Sequence, residues 1–409
     1  MPYLAAAKYM ISRTWITCLA CTKPITARIQ IGHELEQPIT FPCPHCGTEV
    51  RLTLVLDEPP QVKIRWEENA EPGTQEGAII NIGAGFTIAK DKLHQDFYFP
   101  SFDAPRPNLD EYDIPQGLPG PLLMDTSVAL GTLPRAAEHW KTVQRAMRFH
   151  RTGQQANLDA QLDSFWGAPR TAEETLENAL FNFLLRFLSP NGTTWLGPLG
   201  KSLQQAQALN AAEYAKLVSH YDNDLKAERF ETYSDILSEY FKAYGEFSQT
   251  LVYARRQLPL PPNAVATSSD FERTRMFYGN AFEVLGSHLD VPAALNNILS
   301  GRAYDQMNAM DLKQFRTINK AGRTSCFAAN VELTWLVTEY DSTVRNASHH
   351  RWFKLDDSRT QISYRSGGTG TSQRMSYAEY LTRCNRLAIQ LMVLACVELI
   401  LLRSSGNGL

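Results

Sequence analysis

The sequence has no uninterrupted apolar run long enough to span a bilayer. The longest, LAIQLMVLACVELILL at 387–402, contains Gln390 and Glu398 and reads as a buried helix. The first residues, MPYLAAAKYMISRTWIT, show neither the apolar core nor the cleavage site of a secretory leader, so the expected setting is cytoplasmic, with no membrane association. Charge of one sign is scarce in excess: a net charge of −3 over 409 residues excludes a generally basic coat but leaves room for a local basic patch. No internal repeat is visible, and no cluster of carboxylates suited to a catalytic pair of Mg2+ ions stands out.

What remains is an ordinary globular composition, 44% hydrophobic and 20% charged, in a chain long enough for two or three domains. Seven cysteines are present and four of them cluster. Cys18 and Cys21 form one C-x2-C pair, and Cys43 and Cys46 form a second, with twenty-one residues between the pairs. This spacing lets two tight turns place four thiolates tetrahedrally around one Zn2+, the turns being joined by a hairpin. ITARIQI at 25–31 and TEVRLTLVL at 48–56 carry the two-residue alternation of strands. All four positions are cysteine, which leaves no open place for water, so the metal is expected to be structural. His45 reads as a turn residue, and Cys326, Cys384 and Cys396 read as reduced core residues. The segment 10–58 resembles the zinc ribbon family, whose members often contact nucleic acid or partner proteins.

From 59 to 130 the chain is rich in Pro, Gly and acidic residues, an irregular linker region in which VKIRW (62–66) and GAIINIGAGFTI (77–88) look like strands extending the ribbon. A helical period begins near 131. Thr171 and Glu174 stand in capping-box spacing ahead of a stripe of Leu176, Leu180, Phe183 and Phe187, and a helix over 227–256 carries Tyr233, Ile236, Leu237, Tyr240, Tyr244 and Phe247 on one face. These stripes read as core. LPLPPNAVATSSD at 258–270 is the candidate boundary between a helical middle region, 131–258, and a second helical domain, 270–405. Helices are expected there near 270–288, 291–300, 308–319, 323–348 and 376–403, with YRSGGTGTSQR as a flexible loop before the last.

The sequence VRNASHHRWF at 344–353 sets Arg345, Asn346, His349 and His350 at the end of the helix expected over 323–348, beside a stripe of Leu333, Val337, Tyr340 and Val344. Arg345 and His349 fall one turn apart on about the same side, whereas His350 is offset by about 140°. Histidine exchanges a proton near neutral pH, and arginine stays charged and grips phosphate oxygens through paired hydrogen bonds. Asn346 suits orientation of an imidazole or of a phosphate. Arg351, Trp352 and Lys354 follow, giving local positive charge with an aromatic platform suited to RNA.

Arg345, Asn346 and His350, in the order R-N-x3-H within a helical carboxy-terminal region, resemble the motif of HEPN-superfamily ribonucleases. The resemblance covers about 270–405. It implies a mainly α protein in which a HEPN-like helical bundle follows a small β zinc ribbon. It also implies a metal-independent endoribonuclease that attacks through the ribose 2′-hydroxyl, leaves a 2′,3′-cyclic phosphate, works as a homodimer with a shared cleft, and acts as a toxin or antiviral defence effector. His349 is the alternative imidazole. The alternative function is a non-catalytic nucleic-acid-binding or scaffold protein in which the ribbon binds nucleic acid or a protein partner and the helices dimerise.

Overall fold

The computed structural model describes residues 11–98, 133–167 and 170–404, apart from positions 33, 58–60, 84, 86, 351, 368 and 369. The readings of the first ten residues, of most of the Pro-rich stretch after 98 and of Arg351 lie outside the described residues. The chain is mainly helical, with most of its strands near the amino terminus. It divides into two compact units, each built from three separate stretches. Unit 1 comprises Met1–Ala136, Ala243–Met276 and Asn346–Asn385, and unit 2 comprises Ala137–Lys242, Phe277–Arg345 and Arg386–Leu409. The expected segments 131–258 and 270–405 therefore each contribute to both units.

In unit 1, strands β1 (Ile11–Cys18) and β2 (Pro24–Gln30) form an antiparallel hairpin. Two further strands, β3 (Glu36–Pro42) and β4 (Glu49–Leu56), form another. VKIRW is β5 (Val62–Trp66), paired with β4. After it come β6 (Ala70–Pro72), which pairs with β1, and β7 (Ala78–Gly83), which runs parallel to β2. The ribbon is thereby embedded in two sheets, ordered β6-β1-β2-β7 and β3-β4-β5. Ile16, Ile25, Ala27 and Ile29 of one sheet and Ile39, Phe41, Val50, Leu52 and Leu54 of the other belong to one buried cluster, together with Ile80, Ile82, Cys18 and Cys43. Gly77 enters β7 so close to β2 that a Cβ there would lie 1.9 Å from the Pro24 carbonyl oxygen. Glycine is therefore required at the start of the parallel pairing.

The remainder of unit 1 contains the helix Tyr244–Arg256, a two-stranded pairing of β8 (Ile88–Ala89) with β9 (Ala264–Val265), and a small sheet of β10 (Lys354–Leu355), β11 (Gln361–Tyr364) and β12 (Gln373–Ser376). Strands β11 and β12 flank the loop expected from YRSGGTGTSQR. The segment Ala266–Ser269 is tied down by side chains: Gln249 Oε1 accepts from the Thr267 amide at 2.9 Å and its Nε2 donates to the Ser268 carbonyl at 2.9 Å, while Ser268 Oγ accepts from the Thr40 amide at 3.2 Å.

Unit 2 is helical. Leu176, Leu180, Phe183 and Phe187 are all buried, as their stripe requires. The helix begins one turn later than the capping-box spacing indicates: Glu174 still accepts from the Thr171 amide, but Thr175 is the cap, its side chain accepting from the Asn178 amide. Trp140 stacks on Phe241 at 5.5 Å, with Phe183 at the same distance. The helix expected over 227–256 is two helices, Lys226–Lys242 and Tyr244–Arg256, divided at Ala243.

The largest departure is at 323–348, where the expected single helix is replaced by short pieces: Lys320–Phe327, Val331–Thr334, Trp335–Val337 and Ser342–His349. Three side chains cause the restarts. Asn319 accepts from the Ala321 amide, Asn330 from the Leu333 amide and Asp341 from the Thr343 amide, each offering the backbone a local partner in place of continuous helix bonds. Leu333, Leu336 and Val344 are buried, whereas Val337 and Tyr340 are only partly so. The expected helix over 270–288 is likewise two, Phe271–Thr274 and Phe277–His288, and that over 308–319 contracts to Leu312–Phe315.

The last helix, Tyr377–Arg403, matches its expected span. It is the one helix among the described residues long and apolar enough to cross a membrane, but 89% of its apolar window is buried in the protein. Its interior polar groups are satisfied in part: Gln390 Oε1 and Glu398 Oε1 are buried without a hydrogen-bond partner among the described residues, while the other polar atom of each side chain is held. Gln390 donates to the Trp335 carbonyl at 3.0 Å and to Thr338, and Glu398 accepts from the Tyr221 hydroxyl at 3.0 Å.

Candidate metal centre and polar helix end

The two hairpins of unit 1 end in matching turns. In the first, the Cys18 amide donates to the Lys23 carbonyl and Thr22 donates back to the Cys18 carbonyl; in the second, the Cys43 amide donates to Thr48 and Gly47 to Cys43. The residue after each pair adopts a left-handed backbone, Thr22 with φ 59° and Gly47 with φ 73°. The four sulfurs all lie within 4.8 Å of one another. Cys18 Sγ is 3.9 Å from Cys46 Sγ, and Cys21 Sγ is 3.8 Å from Cys43 Sγ. Four thiolates about 2.3 Å from a central Zn2+ stand about 3.8 Å apart along the edges of a tetrahedron, so the donor set fits that metal.

His45 is no ligand. Its Nε2 is 3.0 Å from the Pro24 carbonyl, and its backbone amide lies 3.4 Å from Cys43 Sγ, a contact that stabilises a thiolate. Beyond the cysteines, the strand arginines and lysines are largely consumed by neighbours: Arg13 pairs with Glu76, Arg51 with Glu49, Lys63 with Asp57 and Arg65 with Glu36. By contrast, Trp15 and Leu19 are 42% and 52% exposed beside the first turn.

The polar motif lies on the two-turn helix Ser342–His349, and the His350 amide still donates to the Asn346 carbonyl at 3.1 Å. Arg345, in unit 2, directs its Nε to Glu283 Oε1 at 2.6 Å, and Lys320 Nζ donates to the other oxygen of that carboxylate at 2.8 Å. Partial burial opposes ionisation of Glu283, but the Lys320 and Arg345 contacts outweigh it and hold the carboxyl below its ordinary range.

The rest of the motif, in unit 1, has its own partners. Asn346 Nδ2 is 3.3 Å from Ser366 Oγ, and the buried Ser348 hydroxyl donates to the Arg275 carbonyl at 2.6 Å. His349 turns its Nε2 inward, where it meets no hydrogen-bond partner among the described residues, and His350 is exposed. Trp352 is half-buried under Arg365, whose guanidinium carbon is 3.9 Å from the ring centroid. Lys354 is exposed on β10. Arg359 donates to the Ser269 carbonyl at 2.7 Å and pairs with Glu49.

Unit 2 also holds polar groups that residue spacing did not single out. His220 Nδ1 lies 2.6 Å from Asp224 Oδ2, and Arg316 and Arg229 share the buried carboxylate of Asp290. The i,i+4 spacing of His220 and Asp224 on a helix was the available signal; Arg316 and Asp290 are distant in sequence and gave none.

Set against known proteins, the chain matches no family, no curated protein and no solved structure.

Proposed function

We propose that this chain is a zinc-stabilised, metal-independent endoribonuclease in which Arg345 and His350, or His349, handle the phosphodiester. The observation that carries the reading is the end of the helix Ser342–His349. An arginine, an exposed histidine five residues later and an aromatic ring with a stacked guanidinium follow one another within eight positions, Arg345, His350 and Trp352. Helical spacing alone sets the relation of Arg345 to the histidines. In this reading one imidazole takes the 2′-hydroxyl proton, attack on phosphorus breaks the bond to the 5′-oxygen, which leaves with a proton from the imidazolium or from water, a 2′,3′-cyclic phosphate remains, and the guanidinium offsets the charge of the phosphorane. Glu283 holds Arg345 in an ion pair that has to open before the guanidinium can meet phosphate, which makes that pair a restraint on activity. A HEPN-like dimer that sets two such helix ends together, in a toxin or defence effector, is the finer form of the proposal.

The second reading, a non-catalytic nucleic-acid-binding or scaffold protein, draws on the same ion pair and on the ribbon, where the basic side chains are paired and Trp15 and Leu19 are exposed. Zinc-loaded protein incubated with end-labelled RNA in EDTA separates the two. The nuclease reading expects products with cyclic phosphate ends that disappear in Arg345→Ala and His350→Ala while folding and zinc content persist. Retained binding with no cut product would leave the scaffold reading standing, and undiminished cutting by His350→Ala would move the imidazole role to His349.

A further inference from the structure

In unit 2 the helix Ala211–His220 runs into a five-residue π-turn, Tyr221–Leu225. Such turns are uncommon and recur at functional sites. This one is fastened from below by Tyr221, fully buried, whose hydroxyl donates to Glu398. His220 Nδ1 meets the exposed Asp224 at Oδ2, 2.6 Å away, which fixes the ring and leaves Nε2 for a second partner. Arg316 Nη2 stands 3.0 Å from that Nε2.

Arg316 is itself held in place. Its Nε and Nη2 reach Asp290 Oδ2 at 2.9 and 2.8 Å, and Asp290, almost wholly buried, gives its other oxygen to the buried Arg229. Two guanidiniums thus share one carboxylate. Glu398, 3.7 Å from Arg229, offsets the excess only in part, because burial pushes its carboxyl up to about 7. The imidazole and the guanidinium remain accessible, with side chains 17% and 36% exposed.

We propose that His220 and Arg316 form a second site, which binds the oxyanion of a phosphodiester between the imidazole Nε2 and the guanidinium. The anion takes the place of the direct contact between them, His220 gains a proton at Nε2 from solvent, and both groups donate to phosphate oxygens, with Asp224 balancing the imidazolium. The surrounding charges select the ligand. Tyr304, 5.9 Å from the His220 ring, brings Asp305 to the same rim, and Asp224 is 63% exposed. Glu213 is occupied by Lys216 and by the Tyr304 amide. With Asp224 paired to the imidazolium, Asp305 is the remaining negative charge named at this rim, and it disfavours a doubly charged phosphate more than the single charge of a diester.

The ligand class rests on the RNA-directed reading above, but the test reads binding and not cleavage. Full-length zinc-loaded protein labelled with 15N-histidine is titrated with a dinucleoside monophosphate and, separately, with inorganic phosphate. The His220 signal is assigned by its loss in His220→Asn. The proposal expects a saturable shift of the His220 Nε2 resonance by the dinucleotide, weaker binding of inorganic phosphate, and affinity reduced about tenfold or more in Arg316→Gln, whose Asp290 keeps Arg229 as partner. Arg316→Lys should fall between. Absence of a saturable His220 response, unchanged affinity in Arg316→Gln, or tighter binding of inorganic phosphate than of the dinucleotide would each overturn it, whatever the cleavage assay shows.

Discussion

Glu246 offers the sharpest test of how unit 1 is held together. Its carboxyl is buried on the helix Tyr244–Arg256, with the Tyr377 hydroxyl at 3.2 Å and Ser268 Oγ at 3.4 Å. Burial raises its pKa from the ordinary 4.5 to about 8, in spite of a backbone hydrogen bond at Asp270 that favours the ionised form. The sign follows from proton counting. The folded chain keeps a proton on Glu246 where the unfolded chain has lost it, so stability is greatest below about 4.5 and declines as pH rises through 8. At about 1.4 kcal/mol for each tenfold change in proton affinity, the gap between 4.5 and about 8 corresponds to about 5 kcal/mol as an upper bound. Glu246→Gln keeps the shape and the hydrogen-bonding capacity but cannot ionise. Urea unfolding of both zinc-loaded proteins at pH 5 and pH 8.5 cancels the other titrating groups in the difference. The variant should match the native chain within about 1 kcal/mol at pH 5 and exceed it by a few kcal/mol at pH 8.5. Equal differences at the two pH values would refute a neutral buried carboxylic acid at this position.

Two further predictions concern the metal centre. Native mass spectrometry should find one Zn2+ per chain, and Cys43→Ser, which removes a ligand that is also buried in the two-sheet cluster, should lose the ion and destabilise unit 1; retention of full zinc content would disprove the four-cysteine assignment. Thr22 is a β-branched residue at φ 59° where the second turn has Gly47, so Thr22→Gly should raise the thermal midpoint slightly, by the equivalent of about 0.5–1 kcal/mol, and a lower midpoint would show that the Thr22 side-chain contact with the Cys21 carbonyl outweighs the backbone cost.

The parts of this protein written into short stretches of sequence are those fixed by local chemistry. The two C-x2-C turns, the strands β5 and β7, the stripe from Leu176 to Phe187 and the helix Tyr377–Arg403 depend on neighbours within one turn or one hairpin, and their residue types alone point to them. The broken helix after Lys320 was legible in principle, because Asn319, Asn330 and Asp341 compete with helix bonds over two or three residues, but an apolar period of the right length concealed them.

What tertiary structure alone decided is the state of the charged groups. Arg345 reads as a free phosphate ligand until Glu283, sixty-two positions earlier, is seen to hold it. Arg316 and Arg229 acquire their roles only through Asp290, and Glu246 only through its burial. Burial and long-range pairing set the energy of a charge, and both depend on which distant segments fold against one another, so a local pattern cannot encode them.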